Sequence, residues 1–186
     1  MEPALLVILV VPLIGLIWFI AGFNALVRLR NHCRESWSNI DTELKRRYDL
    51  IPNLVNTVKG YAAHEQELFE RVTQARNAAQ QSHGSPASQA ADENVLVRGV
   101  RQLFAVAESY PDLKASKNFL ALQEELSHTE DRIQRARRFY NANVRDLNTR
   151  IEVVPSNIIA SLFNFQKEEY FEVEDAIIRE APTVTM

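Results

Sequence analysis

Residues Ala4 to Phe23 read ALLVILVVPLIGLIWFIAGF, 20 positions without a charge. A helix rises about 1.5 Å per residue, so this run covers roughly 30 Å, the thickness of a bilayer's hydrocarbon core. Membrane anchor, cleaved signal peptide and buried core helix are the competing readings. A signal peptide has a basic start, an apolar core of about 7–15 residues and a small-residue cleavage site. Here the only charged residue before the run is Glu2, with no Lys or Arg, and no A-x-A-like site follows Phe19. An uncharged stretch of this length at the extreme terminus also argues against a soluble core helix. The anchor is the favoured reading, and Pro12 and Gly15 are common in membrane helices.

The flanks carry the expected orientation. Arg28, Arg30 and Arg34 follow the run, while Glu2 precedes it. The positive-inside rule then expects a single-pass protein of the inner membrane, with its N-terminus outside and residues 24–186 in the cytoplasm. The same arginines are expected to reach lipid headgroups, at about 1 kcal/mol each near an anionic surface. Trp18 is expected at the interface that such aromatics favour. Membrane lipid is therefore the first partner expected.

Beyond the run, apolar positions recur every three or four residues: Phe23, Leu26, Cys33, Trp37, Ile40, Leu44, Tyr48 and Ile51, with Arg30 filling one slot. This stripe continues the apolar run without Gly or Pro and predicts one helix to about Leu50, interrupted by Pro52. A second helix is predicted from Asn53, ending at an exposed loop over His83–Ser88. A third is predicted from about Asn94 to Ala107. A fourth follows Phe119, Leu122, Leu126, Ile133, Tyr140, Val144, Leu147 and Ile151, with Thr129 filling a slot, and ends at Pro155. Ser156 is placed to cap a short last helix to about Phe163. From Lys167 six acidic side chains stand against two basic ones, which predicts a solvated tail. The expected fold is all-α: a transmembrane helix continuing into an elongated antiparallel bundle of about four main helices. Its divisions are a short extracytoplasmic N-terminus (1–3), the span (4–23), the bundle (24–166) and the acidic tail (167–186).

Chemistry is sparse. His64-Glu65 begins the zinc-protease pattern H-E-x-x-H, but Leu68 stands where the second histidine is required. His32-Cys33 offers two ligands without a further cluster, and one cysteine cannot form an internal disulfide. No phosphate-binding, dinucleotide-binding or nucleophile-elbow motif occurs. No catalytic, cofactor or metal site is expected. Net charge is −3; the arginines at 132, 135, 137 and 138 closely follow Glu124, Glu125, Glu130 and Asp131 on one helix, which reads as a solvated, internally paired face, so no nucleic-acid partner is expected. The most unusual polar stretch is Lys45-Arg46-Arg47-Tyr48-Asp49-Leu50-Ile51-Pro52-Asn53. It reads as a structured turn, with Asn53 capping and Asp49 pairing with Arg46, or as a recognition corner. Tyr110-Pro111-Asp112 forms a second break.

These blocks carry a resemblance. Phe23-Asn24-Ala25-Leu26-Val27, Trp37-Ser38-Asn39-Ile40-Asp41, the stretch from Leu44 to Val55, Lys59-Gly60-Tyr61, Glu108 to Ala115, Leu122 to Leu126, Ala136 to Asn141 and Pro155-Ser156-Asn157 resemble the LemA family of bacterial membrane proteins. The R-R-x-D-L-I-P-N-L-V and Y-P-D-L-K-A blocks are the most specific. The resemblance implies one N-terminal span, a cytoplasmic helical bundle and no established enzyme activity. It includes a magnetosome-associated branch linked to forming an internal membrane compartment. The expectation is a non-enzymatic scaffold that forms homo-oligomers at the inner face of the membrane; the alternative is a tethered adaptor for a separate protein, such as a protease or envelope protein. The candidate interaction or turn residues are Arg46, Arg47, Asp49, Pro52, Asn53, Tyr110, Pro111 and Asp112.

Overall fold

The computed structural model describes residues 3–173, and side chains from residue 9 onward. The described chain is all-helical, with the order α1 (Pro3–Lys59), α2 (Gln66–Gln81), α3 (Pro86–Ala107), α4 (Pro111–Lys114), α5 (Lys117–Glu152) and α6 (Ser156–Leu162). Two compact units divide it, and α1 and α5 contribute to both.

The first unit holds α1 up to Trp37 and residues Phe139–Glu168. Its N-terminal part is long and apolar enough to cross a membrane. Leu9, Val11, Leu13, Ile14, Leu16 and Ile17 are each more than half exposed, so the core-helix reading does not fit. Packing begins where the apolar run ends. Leu26 and Cys33 of α1, Tyr140, Val144 and Leu147 of α5, and Ile159 of α6 are buried. Trp37 and Tyr140 meet at 5.2 Å between ring centres. Asn143 Nδ2 donates to Ser36 Oγ at 3.1 Å, and Ser36 Oγ in turn donates to the His32 carbonyl at 2.7 Å. The chain after α6 is clasped by Asn148, whose amide donates to the Glu168 carbonyl and accepts from its N–H, both at 2.9 Å.

The second unit takes α1 from Ser38, then α2, α3, α4, α5 as far as Arg138, and the segment from Glu169. Ile40, Leu44, Ile51, Leu54, Leu68, Val72, Leu96, Leu103, Leu113, Leu126, Ile133 and Phe171 form its core. Each such side chain contributes about 1.5–3 kcal/mol before conformational entropy is subtracted. Gly99 brings α3 close to α2: a Cβ there would stand 3.1 Å from Val72 Cγ2.

Four boundaries differ from the sequence expectation. Pro52 does not end the first helix, which runs on to Lys59. A proline removes the N–H that would bond to the carbonyl four residues earlier, here Tyr48. That carbonyl is taken instead by Arg76 of α2, whose Nε donates to it at 2.8 Å. The helix stops at Gly60, where Ala62 is buried and its N–H bonds to the Val58 carbonyl at 2.9 Å. Asn53, expected as a cap, therefore lies within a helix, and its carbonyl accepts from Thr57 Oγ1 at 2.8 Å.

The loop before α3 is also shorter than expected. Ser85 is the N-cap, accepting from the Ser88 N–H, and Pro86 takes the first helical position. Large apolar residues are absent from this first turn, which packs with Gln89 and Ala90, so hydrophobic spacing alone started the helix too late. Ser156 does not cap α6 through its side chain; its Oγ donates back to the Arg150 and Val153 carbonyls at 2.7 and 3.0 Å. Finally, residues 167–173 are not a free solvated stretch, because Phe171 and Val173 are buried and Arg137 donates to the Val173 carbonyl. The rest of the expected tail lies outside the described residues.

The Pro52–Arg76 arrangement is testable by chemical unfolding in mild detergent. Arg76→Met strands the Tyr48 carbonyl and is expected to cost about 1–3 kcal/mol. In a Pro52→Ala background the missing N–H returns, and the same Arg76→Met change should cost less. Equal costs in both backgrounds would refute the account.

Candidate functional site

The Lys45–Asn53 stretch lies on one uninterrupted helix, so helical period sorts its side chains. Leu44, Arg47, Tyr48, Ile51 and Leu54 face inward and are buried, whereas Arg46, Asp49, Pro52 and Asn53 are exposed. Arg47 is 1% exposed. It arrives in the core because it stands three residues after Leu44 and four before Ile51. Glu93 occupies the matching stripe of α3 with Leu96, Val97 and Val100. Glu130 does so on α5, between Leu126 and Ile133.

Arg47 joins the two carboxylates. Its Nη1 donates to both oxygens of Glu130, at 2.9 and 3.1 Å, and its Nη2 donates to Glu93 Oε2. Glu93 Oε1 accepts from the Tyr48 hydroxyl, which also lies 3.3 Å from the Ala79 carbonyl of α2. Four helices thus meet at one polar knot inside an apolar unit. Burial alone would lower the Arg47 pKa, but the neighbouring Glu130 and Glu93 charges outweigh it and raise the pKa above the normal arginine value. For Tyr48, burial and then the Glu93 charge push the phenol well above its ordinary range, so it stays a protonated donor.

Beside Arg47 and Glu130, a cavity of about 10 Å³ is lined by Leu96, Val97, Val100 and Phe104. That is room for about one water and for no substrate. The knot's chemistry is that of a structural tie. An arginine holding two carboxylates in a low-dielectric interior fixes which faces of α1, α3 and α5 meet.

The other sequence candidates take separate places. Arg46 points outward, with its Nε 3.4 Å from Glu43 and Nη1 3.9 Å from Glu125, so Glu43 and Glu125 take the place expected of Asp49. Pro111 opens α4, with Tyr110 before it and Asp112 in its first turn, where a carboxylate suits the helix dipole. The buried anchor of that corner is Leu113, and the Arg47 knot takes no side chain from it. Arg30 stacks over the Phe165 ring, 5.1 Å from its centre. Trp18, Arg28 and Arg34 are exposed. His32 and Cys33 occupy different faces: His32 is exposed, and Cys33 is buried. No group of three potential metal ligands occurs among the described residues. Burial, followed by the Glu168 and Asp146 carboxylates, pushes the Cys33 thiol from 9.0 up to about 11.

The partners Glu93 and Glu130 escaped the sequence reading. The available signal was a charge at an apolar slot in each of three helices, with opposite signs on α1 and on α3 and α5.

Comparison with known proteins places the chain. The LemA family model matches residues 36–186. Magnetosome protein MamQ 2 of Paramagnetospirillum magneticum is 25% identical over 198 aligned residues, covering 91% of this chain and 73% of the relative. Magnetosome protein MamQ of Magnetospirillum gryphiswaldense is 23% identical, covering 90% and 72%. Protein LemA of Metamycoplasma hominis is 28% identical, covering 87% and 75%. None of these names carries a reaction.

Removing the arginine should expose the cost of two buried, unpaired carboxylates. Arg47→Met is expected to destabilise by about 3–5 kcal/mol, whereas Arg47→Met with Glu93→Leu and Glu130→Leu should recover most of that loss. A triple variant no more stable than the single one would show that charge imbalance is not the cause. Cys33 supplies a second test. Its folded pKa lies above the unfolded one, so its contribution to stability is complete below pH 9 and lost as pH rises through about 11. Native protein should resist iodoacetamide at pH 8 until it is unfolded. Between pH 9 and 11 it should lose more stability than a Cys33→Ala variant. Rapid native-state alkylation at pH 8 would contradict the burial.

Proposed function

The chain belongs to the LemA family, and on that premise we propose that it is a non-enzymatic scaffold, fixed in the inner membrane by the start of α1 and self-associating at the cytoplasmic face. The carrying observation is the apolar run itself. Its side chains from Leu9 to Ile17 are all exposed, while the same helix continues into packed units. Such a helix is solvated well only by lipid. Arg28, Arg30 and Arg34 on the C-terminal flank support the cytoplasmic side for the packed part.

The scaffold reading draws on two further points. The knot at Arg47 is closed and holds no space for a substrate, which suits an architectural role for the most specific block of the sequence. Two relatives are named as magnetosome proteins, and membrane organisation is the role that the family resemblance suggests for such a scaffold. A tethered adaptor for a separate protein is the second reading.

Full-length protein extracted in mild detergent distinguishes the two by mass photometry with negative-stain imaging. Large, regular assemblies are expected of the scaffold. Monomers or small dimers across several detergents would overturn it and leave the adaptor.

A further inference from the structure

Between Glu152 and Lys167 the sequence runs VVPSNIIASLFNFQ, from Val153 to Gln166, without a charge. It forms the turn after α5, then α6, then the bend to Phe165. One side of this segment is seated on α1. Ile159 is fully buried over Gly22, where a Cβ on the glycine would come within 2.6 Å of Ile159 Cδ1. Phe163 stacks against Phe23 at 4.6 Å and Phe19 at 6.0 Å between ring centres. Phe165 meets Phe23 at 6.0 Å.

The other side is bare and apolar. Val154 is 77% exposed, Ile158 62% and Leu162 67%. Val153 and half of Phe163 are exposed with them. Clustered exposed apolar side chains on an otherwise charged protein mark a contact surface.

The register of α6 on α1 identifies what covers that surface. Gly22, Phe19 and Phe23 are the last turn of the apolar run, so α6 lies beside the point where α1 leaves the hydrocarbon. Exposed Trp18 is at the same level, and Arg28 follows within two turns. A short uncharged helix with one apolar face, aromatic residues and a basic neighbour has the features of a segment that rests in the headgroup–acyl boundary, its apolar face buried about 5–10 Å.

We propose that α6 and the turn before it form a second, interfacial membrane contact, in which Val154, Ile158, Leu162 and Phe163 enter the bilayer surface beside the exit of α1. The inference rests on the membrane reading of α1 and extends it. The contact turns a single-helix attachment into a two-point one, so this end of the protein cannot swivel freely about the span. Occupation of the patch by lipid rather than by a second copy follows from its continuity with the exposed run on the same unit.

The test uses full-length protein reconstituted in phosphatidylcholine–phosphatidylglycerol vesicles. In a Cys33→Ala background, an environment-sensitive fluorophore is attached at Leu162→Cys, at Leu13→Cys in the span, or at Gln102→Cys on the exposed side of α3. A mixture of lipids brominated near the top and near the end of the acyl chains acts as the quencher, so that both depths are covered. Loss of fluorescence at 162 comparable to that at 13, with none at 102, is the expected result. Quenching at 13 alone overturns the α6 contact and leaves the span intact. A blue-shifted but unquenched probe at 162 overturns it too, because protein then covers the patch. Absence of quenching at both 13 and 162 overturns the span reading as well.

Discussion

One guanidinium sets the packing of the larger unit. Arg47 cannot lie in an apolar interior without carboxylates, and Glu93 and Glu130 cannot lie there without it. The requirement is mutual, and it is geometric as well as electrostatic. The two oxygens of Glu130 share one end of the planar fork while Glu93 takes the other. Slipping any of the three helices by one turn would separate these buried charges from one another. Apolar stripes supply most of the driving force, but Leu and Ile tolerate many registers. The ionic knot discriminates among them.

Much of this architecture was legible in the spacing of apolar residues. The long regular stripe from Phe119 to Ile151 became α5, and the uncharged run followed by heptad-like spacing became α1. What escaped was information that does not reside in one segment. Pro52 breaks helices by local rules, and only the arrival of Arg76 from α2 lets the chain pass through it. Ser85-Pro86 is a strong start signal, yet the following turn packs with Gln89 and Ala90, which hydrophobic spacing does not register. Arg47 was singled out for its unusual neighbourhood, but its partners lie 46 and 83 residues away. No local pattern in either segment announces the pairing; only the coincidence of charges at core slots does.

The two units use opposite solutions to the same problem. Around the Arg47 knot, charged groups are drawn inward and paired with one another, with Arg47 Nε alone of that guanidinium left without an acceptor. Around Gly22 and Ile159, apolar groups are left outward and remain unsatisfied by protein. A water-soluble domain would bury the second set, as the 77% exposure of Val154 makes plain. The exposed set lies on the same unit as the apolar run of α1, which suits the lipid contact proposed for it.

The bond from Arg76 to the Tyr48 carbonyl makes the continuity of α1 conditional. An ordinary helix carries its own hydrogen bonds and needs no consent from its neighbours. Here the turn at Pro52 lacks one bond of its own and borrows a donor from another helix. Fraying of α2 would reopen that gap and place a ready-made hinge between Tyr48 and Pro52. The last two turns of α1 and the docking of α2 are therefore coupled through that one bond.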